Sequence, residues 1–134
     1  QFQRINELVE KKRSIWKSYK ALLGGLYGIS FNPEPIGVYN SVWSTVLIAD
    51  PRTGLHRDSI MKGFEELGLP SRPFFYPLSS LPAFGKHLDD NQELRPIAHE
   101  LSQKGVCLPS ALNLDDEQIE RVALAFRKIY ARAK

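Results

Sequence analysis

The sequence lacks the residues that build several common kinds of protein. It has one cysteine and one methionine in 134 residues, and it has no apolar run of about eighteen residues. One cysteine excludes an internal disulfide and favours a reducing, cytoplasmic setting, while the missing apolar run predicts no transmembrane helix. The polar start QFQRINELVEKKR is not typical of a signal peptide. Because the chain has no initiator methionine, we expect it to begin inside a longer protein.

The motifs of several enzyme classes are also missing. The sequence contains no G-x-S-x-G, no P-loop and no G-x-G-x-x-G. His56, His87 and His99 fit no common zinc spacing, and one cysteine is too few for a structural zinc site. We interpret these histidines as surface or capping residues and Cys107 as a small core side chain. Taken alone, the residues encode no metal site and no complete active site.

The charge is mildly basic, with 18 Lys and Arg against 15 Asp and Glu and a net charge of +3. The basic residues are densest near the start of the chain, where apolar residues recur at helical spacing: Lys11, Lys12, Arg13, Lys17 and Lys20. We interpret them as the solvated face of a helix and expect no nucleic-acid partner. RNA binding by this face is the weaker alternative.

The length allows one domain with one hydrophobic core, so residues 1–134 are predicted as a single domain. Apolar periodicity predicts helices over residues 2–23, 56–67 and 96–104, and a last helix capped by Asp115 and Gln118. The inward face of that last helix is predicted to comprise Ile119, Val122, Ala123, Phe126, Ile129 and Tyr130.

Three stretches have the composition of strands. VYNSVWSTVLIAD (38–50) is rich in β-branched and aromatic residues, SRPFF is a short extended candidate, and VCLP is a short strand. Pro73 would restrict the second of these to a sheet edge. The element order predicts a two-layer α/β (α+β) sandwich, in which helices cover one face of a small, mainly antiparallel sheet. LDDNQE (88–93) is predicted as a polar loop.

The stretch PSRPFFYPLSSLPAF, hereafter the proline-aromatic segment (residues 70–84), is unusual for a solvated loop. It holds four prolines and four aromatic residues. The prolines stiffen the backbone, and Arg72 offers a planar fork that suits phosphate or carboxylate. Phe74, Phe75 and Tyr76 could pack on a sugar, a base or a neighbouring subunit. The residues alone leave two interpretations open: a packed structural loop or a binding surface.

Four stretches, in their order along the chain, resemble the C-terminal part of the DegT/DnrJ/EryC1/StrS family of PLP-dependent nucleotide-sugar aminotransferases. QRINELVEKKRSIWKSYKALL is similar to the long helix that enters the small domain, and VWSTVLIAD to its central strand. HRDSIMKGFEELGLPSRPFFYPLSSLPAF is similar to the following helix and loop, and GVCLPSALNLDDEQIERV to the closing segment. The proline-aromatic segment is most similar to that of perosamine synthetase-type members, which aminate a 4-keto nucleotide sugar.

The resemblance implies a fold type I transaminase in which pyridoxal phosphate (PLP) forms a Schiff base with a lysine and carries an amino group from glutamate. In the family, that lysine and the cofactor-facing acid lie in a large N-terminal domain, which this sequence lacks. The resemblance therefore implies that the N-terminal domain is this chain's partner, that the enzyme is a homodimer, and that this chain alone is inactive and binds no PLP.

The resemblance also implies that the proline-aromatic segment is the loop near the mouth of the active site. It implies substrate contacts by Arg72, Phe74, Phe75 and Tyr76, with Ser79 in the place where many relatives have a histidine. Trp43 matches an aromatic position of the strand and is interpreted as core. The resemblance implies no catalytic residue in this chain. The alternative function is a non-catalytic module that binds a nucleotide sugar or a protein.

Overall fold

A computed structural model describes residues 2–84 and 96–133. The described helices and strands follow one another in the order α1 (Ile5–Leu23), β1 (Ile29–Phe31), β2 (Val46–Ala49), α2 (Arg57–Glu66), β3 (Arg72–Pro73), α3 (Pro96–Lys104), β4 (Gly105–Cys107) and α4 (Asp116–Arg132). Short 3-10 turns occupy Phe2–Arg4, Pro51–Thr53 and Leu78–Ser80. The four predicted helices are confirmed to within a few residues. The predicted loop at 88–93 and His87 lie outside the described residues.

The sheet has four antiparallel strands in the order β1-β2-β4-β3. Leu47 of β2 lies opposite Val106 of β4, and both side chains are fully buried. The strand β3 lies at the edge, as its proline predicted, because Pro73 has no N–H to donate to a further neighbour. The small antiparallel sheet of the predicted sandwich is confirmed.

The hydrophobic core lies between the sheet and the helices α1, α2 and α4. Ile15, Tyr19 and Leu23 of α1 pack in one buried cluster with α4, whose predicted inward face is confirmed. The N-terminus of α4 is fixed by a capping box: Gln118 N donates to Asp115 Oδ1 at 2.8 Å, and Asp115 N donates to Gln118 Oε1 at 3.2 Å. Local capping and the apolar stripe therefore specify the same helix.

The predicted strand 38–50 is wrong over its first eight residues. Only Val46–Ala49 pairs as a strand, because side chains bind the backbone N–H groups that precede it. Val42 N donates to Asn40 Oδ1 at 2.9 Å, and Thr45 N donates to Ser110 Oγ at 3.0 Å. Val42 also has a φ of 45°, which a β-branched residue rarely adopts and which is incompatible with an extended strand. Residues 29–31, which form β1, were not predicted as a strand.

The basic face of α1 is only partly solvated. Lys11, Lys17 and Lys20 are exposed as predicted, but Arg13 is buried and Lys12 is half-buried. Arg13 pairs with Glu34, with 3.1 Å between Nη2 and Oε2, and donates to Asn40 O at 2.5 Å. These contacts tie the loop before β2 to α1. The Arg13 guanidinium and the Asn40 N–H lower the pKa of Glu34 to about 2.

Candidate functional site

The proline-aromatic segment begins at the edge strand β3 of the described sheet. Its β3 residues pair with β4, and Phe74 N extends this contact by donating to Gly105 O at 3.0 Å. Pro77 then leads into the Leu78–Ser80 turn, where Ser80 N donates to Pro77 O at 3.0 Å. The short extended piece predicted for this segment is confirmed at Arg72–Pro73. Arg72 and three aromatic residues of the segment line two separate cavities.

The first cavity, which we call the basic cavity, has a volume of about 340 Å³. Its lining joins α1, the loop before β2, the start of β3 and the chain after β4: Lys12, Trp43, Ser44, Pro70, Ser71, Arg72, Cys107, Leu108, Pro109, Ser110 and Ala111. This lining includes two cations and no carboxylate. Arg72 is exposed at its mouth, and Lys12 donates from Nζ to Ser110 O.

The second cavity, which we call the aromatic groove, is apolar and has a volume of about 590 Å³. Its lining comes from the proline-aromatic segment and α3: Phe74, Phe75, Tyr76, Pro77, Pro96, Ile97, Ala98 and Leu101. Ile97 is 70% exposed, although it is an aliphatic residue in the first turn of a helix. The predicted site residues are therefore divided, with Arg72 in the basic cavity and Phe74, Phe75 and Tyr76 in the groove.

A stacked aromatic pair connects the two cavities. The ring centroids of Trp43 and Phe75 lie 5.9 Å apart with an interplanar angle of 20°. Trp43 lines the basic cavity and Phe75 lines the groove. The interpretation of Trp43 as a core residue is wrong, since its side chain is 65% exposed. The reason is the loop conformation of residues 38–45, which places Trp43 outside the sheet.

Tyr76 is held against the start of α2 by Arg57. The Arg57 Cζ lies 5.2 Å from the centroid of the Tyr76 ring, and its Nη1 donates to Ser102 O at 2.9 Å. This arginine therefore connects the proline-aromatic segment with α2 and α3. The contact leaves Tyr76 half exposed, with the other part of its ring available to a ligand.

Ser79 is in a different environment from the other predicted contacts. Its side chain is only 3% exposed, within the short turn that follows Pro77. The position therefore contributes to the packing of the segment in this structure. Its role in binding substrate stays a prediction.

Burial affects two titratable groups of the basic cavity. It lowers the pKa of the Lys12 ammonium, and it raises the pKa of the Cys107 thiol, against smaller opposing effects of Ser44 and Arg72. Cys107 was interpreted as a core side chain, but it is half-buried and lines this cavity. Neither it nor Lys12 was predicted as a site residue. The only sequence signal for Lys12 is its place beside the helix's apolar stripe.

The described residues do not form a metal site. No three histidine, cysteine, aspartate or glutamate residues among them come close enough to share a metal ion. His56 begins α2, where its N–H donates to Ser59 Oγ at 3.0 Å, and His99 is buried in α3. The interpretation as a surface residue is confirmed for His56, which is exposed at the N-cap position of α2. The same interpretation is wrong for His99, because that side chain is buried. No helix in the described part of the chain is long and apolar enough to cross a membrane.

The fold is that of the C-terminal part of an aminotransferase. It is similar to the aminotransferase TlmJ from Streptoalloteichus hindustanus, with a TM-score of 0.82 and 24% identity, over 99% of this chain and 34% of that chain. Residues 1–127 match the DegT/DnrJ/EryC1/StrS aminotransferase family, and the chain belongs to that family.

Curated relatives agree with this assignment. The chain is 32% identical to the GDP-perosamine synthase of Vibrio cholerae, over 97% of this chain and 35% of that protein. It is also 32% identical to EpsN of Bacillus subtilis, named as a candidate pyridoxal phosphate-dependent aminotransferase, over 91% of this chain and 31% of EpsN. The chain thus spans about a third of the length of the relatives that it matches.

Proposed function

We propose that this chain is the C-terminal small domain of a PLP-dependent aminotransferase that aminates a 4-keto nucleotide sugar in surface polysaccharide or glycan biosynthesis. The family membership and the similarity to a GDP-perosamine synthase support the reaction class. The one-third coverage of the relatives supports a larger enzyme. In this proposal residues 1–134 are a single domain, a large N-terminal domain is its partner, and glutamate is the amino donor. The enzyme would be a homodimer in the cytoplasm.

The observation that carries the proposal is the proline-aromatic segment at the open sheet edge. Phe75 and Tyr76 are more than half exposed although they are large and aromatic, and the stiff backbone between prolines holds them in place. Exposed aromatic residues beside an exposed arginine are suited to a ligand that has a ring and a negative charge. We assign Arg72, Phe74, Phe75 and Tyr76 to substrate contacts, with Ser79 behind them in the turn.

The basic cavity does not fit a PLP site. Such a site requires a lysine for the Schiff base, a carboxylate for the pyridinium nitrogen and a cradle for the phosphate. Lys12 is the lysine that lines the basic cavity, but its ammonium donates to Ser110 O, and no carboxylate lines that cavity. We therefore propose that this chain binds and encloses the substrate, and that the N-terminal domain holds the cofactor.

We expect the 134-residue chain alone to form no specific adduct with PLP. After incubation with PLP and reduction with borohydride, mass spectrometry should find only low, scattered labelling of exposed lysines. Absorbance in the near-visible range should match that of free PLP. A stoichiometric adduct on one lysine would contradict the proposal, and Lys12→Gln would show whether the basic cavity holds it.

The alternative function is a non-catalytic module, because the fold brings the two cations Lys12 and Arg72 to one cavity. Such a module would bind a nucleotide sugar with a Kd in the micromolar range without any partner domain. Half of an enzyme's site would bind the same ligand far more weakly. Titration calorimetry on the chain separates these two cases.

A further inference from the structure

Of the residues assigned to substrate contacts above, only Arg72 lines the basic cavity. We propose that it binds the diphosphate of the nucleotide-linked substrate through Arg72 and Lys12, with Trp43 as the adjoining surface for the base. This inference rests on the proposed function for the nature of the substrate. Three observations support it. The lining has two cations and no carboxylate, Arg72 forms no ion pair with a described residue, and Trp43 is exposed.

Arg72 differs from most arginines of the described chain. Five others form ion pairs with carboxylates: Arg4, Arg13, Arg52, Arg57 and Arg132. Arg72 forms no ion pair and no side-chain hydrogen bond with any described residue, although it is fixed at the backbone by pairing with Cys107. An unpaired guanidinium can donate two parallel hydrogen bonds to a phosphate without first breaking an ion pair.

Lys12 adds a second positive charge at the same cavity. Its partial burial lowers the pKa of the ammonium, and the acceptor that it has in this structure, the Ser110 carbonyl, is uncharged. Since no carboxylate lines the cavity, an entering dianion would meet two cations and no like charge. Ser71 also lines it and has a hydroxyl that can donate to a phosphate oxygen.

Trp43 provides a flat surface next to these charges. The residue is 65% exposed, yet its ring is held by the stack on Phe75 at 5.9 Å between centroids. Any nucleobase can stack on such an aromatic surface, because every base has a flat π-face. The volume of about 340 Å³ lies in the range of small-molecule pockets. The ligand class that combines these features is a nucleoside diphosphate.

Alkylation of Cys107 measures ligand binding directly, because Cys107 is the only cysteine of the sequence and it lines this cavity. The rate of its alkylation by iodoacetamide would be measured on the full chain with GDP, with pyrophosphate and with guanosine. We expect saturating GDP to slow alkylation at least about fivefold and pyrophosphate to slow it at higher concentration. Guanosine, which lacks the diphosphate, should leave the rate within about twofold.

Two variants test the role of the cations. Arg72→Gln should weaken protection by GDP about tenfold or more, and Lys12→Gln should weaken it to a smaller extent. Arg121→Gln, on the exposed face of α4, is the matched control and should leave protection unchanged. Circular dichroism would confirm that each variant is folded.

The inference is overturned if neither GDP nor pyrophosphate slows alkylation at 10 mM, or if Arg72→Gln and Lys12→Gln are both protected like the parent chain. Protection by guanosine equal to that by GDP would also overturn it, since binding would then depend on the base alone. These outcomes are separate from a failure of the proposed function, which is read from amination by an assembled enzyme.

Discussion

Replacing Phe126 with alanine is expected to lower the free energy of unfolding by about 3–5 kcal/mol. Phe126 is completely buried in α4, and its ring packs against Phe64 and Tyr130, each with 6.3 Å between centroids. It therefore links two of the helices that cover the sheet. The loss is a large fraction of the stability of an ordinary domain, so urea unfolding followed by circular dichroism would measure it readily.

Leu124 on the same helix is the matched control. Its side chain is 60% exposed, so Leu124→Ala removes a hydrophobic side chain of the same helix without opening a cavity. We expect a change of about 0.5 kcal/mol or less. If the two variants were equally stable, the packing of α4 against the sheet as described would be wrong.

Gly105→Ala is expected to destabilise the chain by about 1–3 kcal/mol and to disturb the proline-aromatic segment. A Cβ at this position would lie 2.6 Å from Phe74 Cβ, 2.9 Å from Leu101 O and 3.0 Å from Ile48 Cδ1. Because one of these neighbours is a backbone oxygen of α3, the strand, the segment and the helix must separate. Near-UV circular dichroism should then lose part of the signal of the Trp43–Phe75 stack.

Gly25→Ala is the control for this prediction, since a Cβ there would meet nothing within 4 Å. We expect its unfolding and its near-UV spectrum to match those of the parent chain. An unchanged near-UV spectrum of Gly105→Ala would contradict the close contact between Gly105 and the proline-aromatic segment.

The helices could be predicted from the sequence because their signals are local. In α4 the capping pair Asp115 and Gln118 and the buried stripe fall within one continuous stretch, and both are observed. The edge position of β3 could also be predicted, because a proline without an N–H restricts where a strand can pair. These features follow from spacing and from backbone chemistry.

The error over residues 38–45 depends mainly on contacts between residues distant in sequence. Composition favoured a strand there, but Ser110 Oγ accepts the N–H of Thr45, which lies 65 residues earlier in the chain. Arg13 holds the same loop through Asn40, 27 residues away. The exposure of Trp43 follows from these contacts, and neither apolar periodicity nor β-propensity contains them.

The candidate site was predicted in part for the same reason. The proline-aromatic segment could be identified by its composition, and Arg72, Phe75 and Tyr76 are all exposed at the sheet edge. The other half of the basic cavity comes from α1 and from the chain after β4, which only the fold brings beside Arg72. Arg72, on one wall of the cavity, could therefore be predicted as a site residue, whereas Lys12 and Trp43 could not.

The most direct measurement of the central claim is a chimera in which this chain replaces the C-terminal third of the Vibrio cholerae GDP-perosamine synthase. We predict that the chimera binds PLP and aminates the sugar substrate of that enzyme, and that Arg72→Gln in it raises KM about tenfold or more without loss of PLP. A folded chimera that holds PLP as the parent enzyme does, yet aminates no nucleotide sugar, would contradict the assignment of this chain as the substrate-side domain.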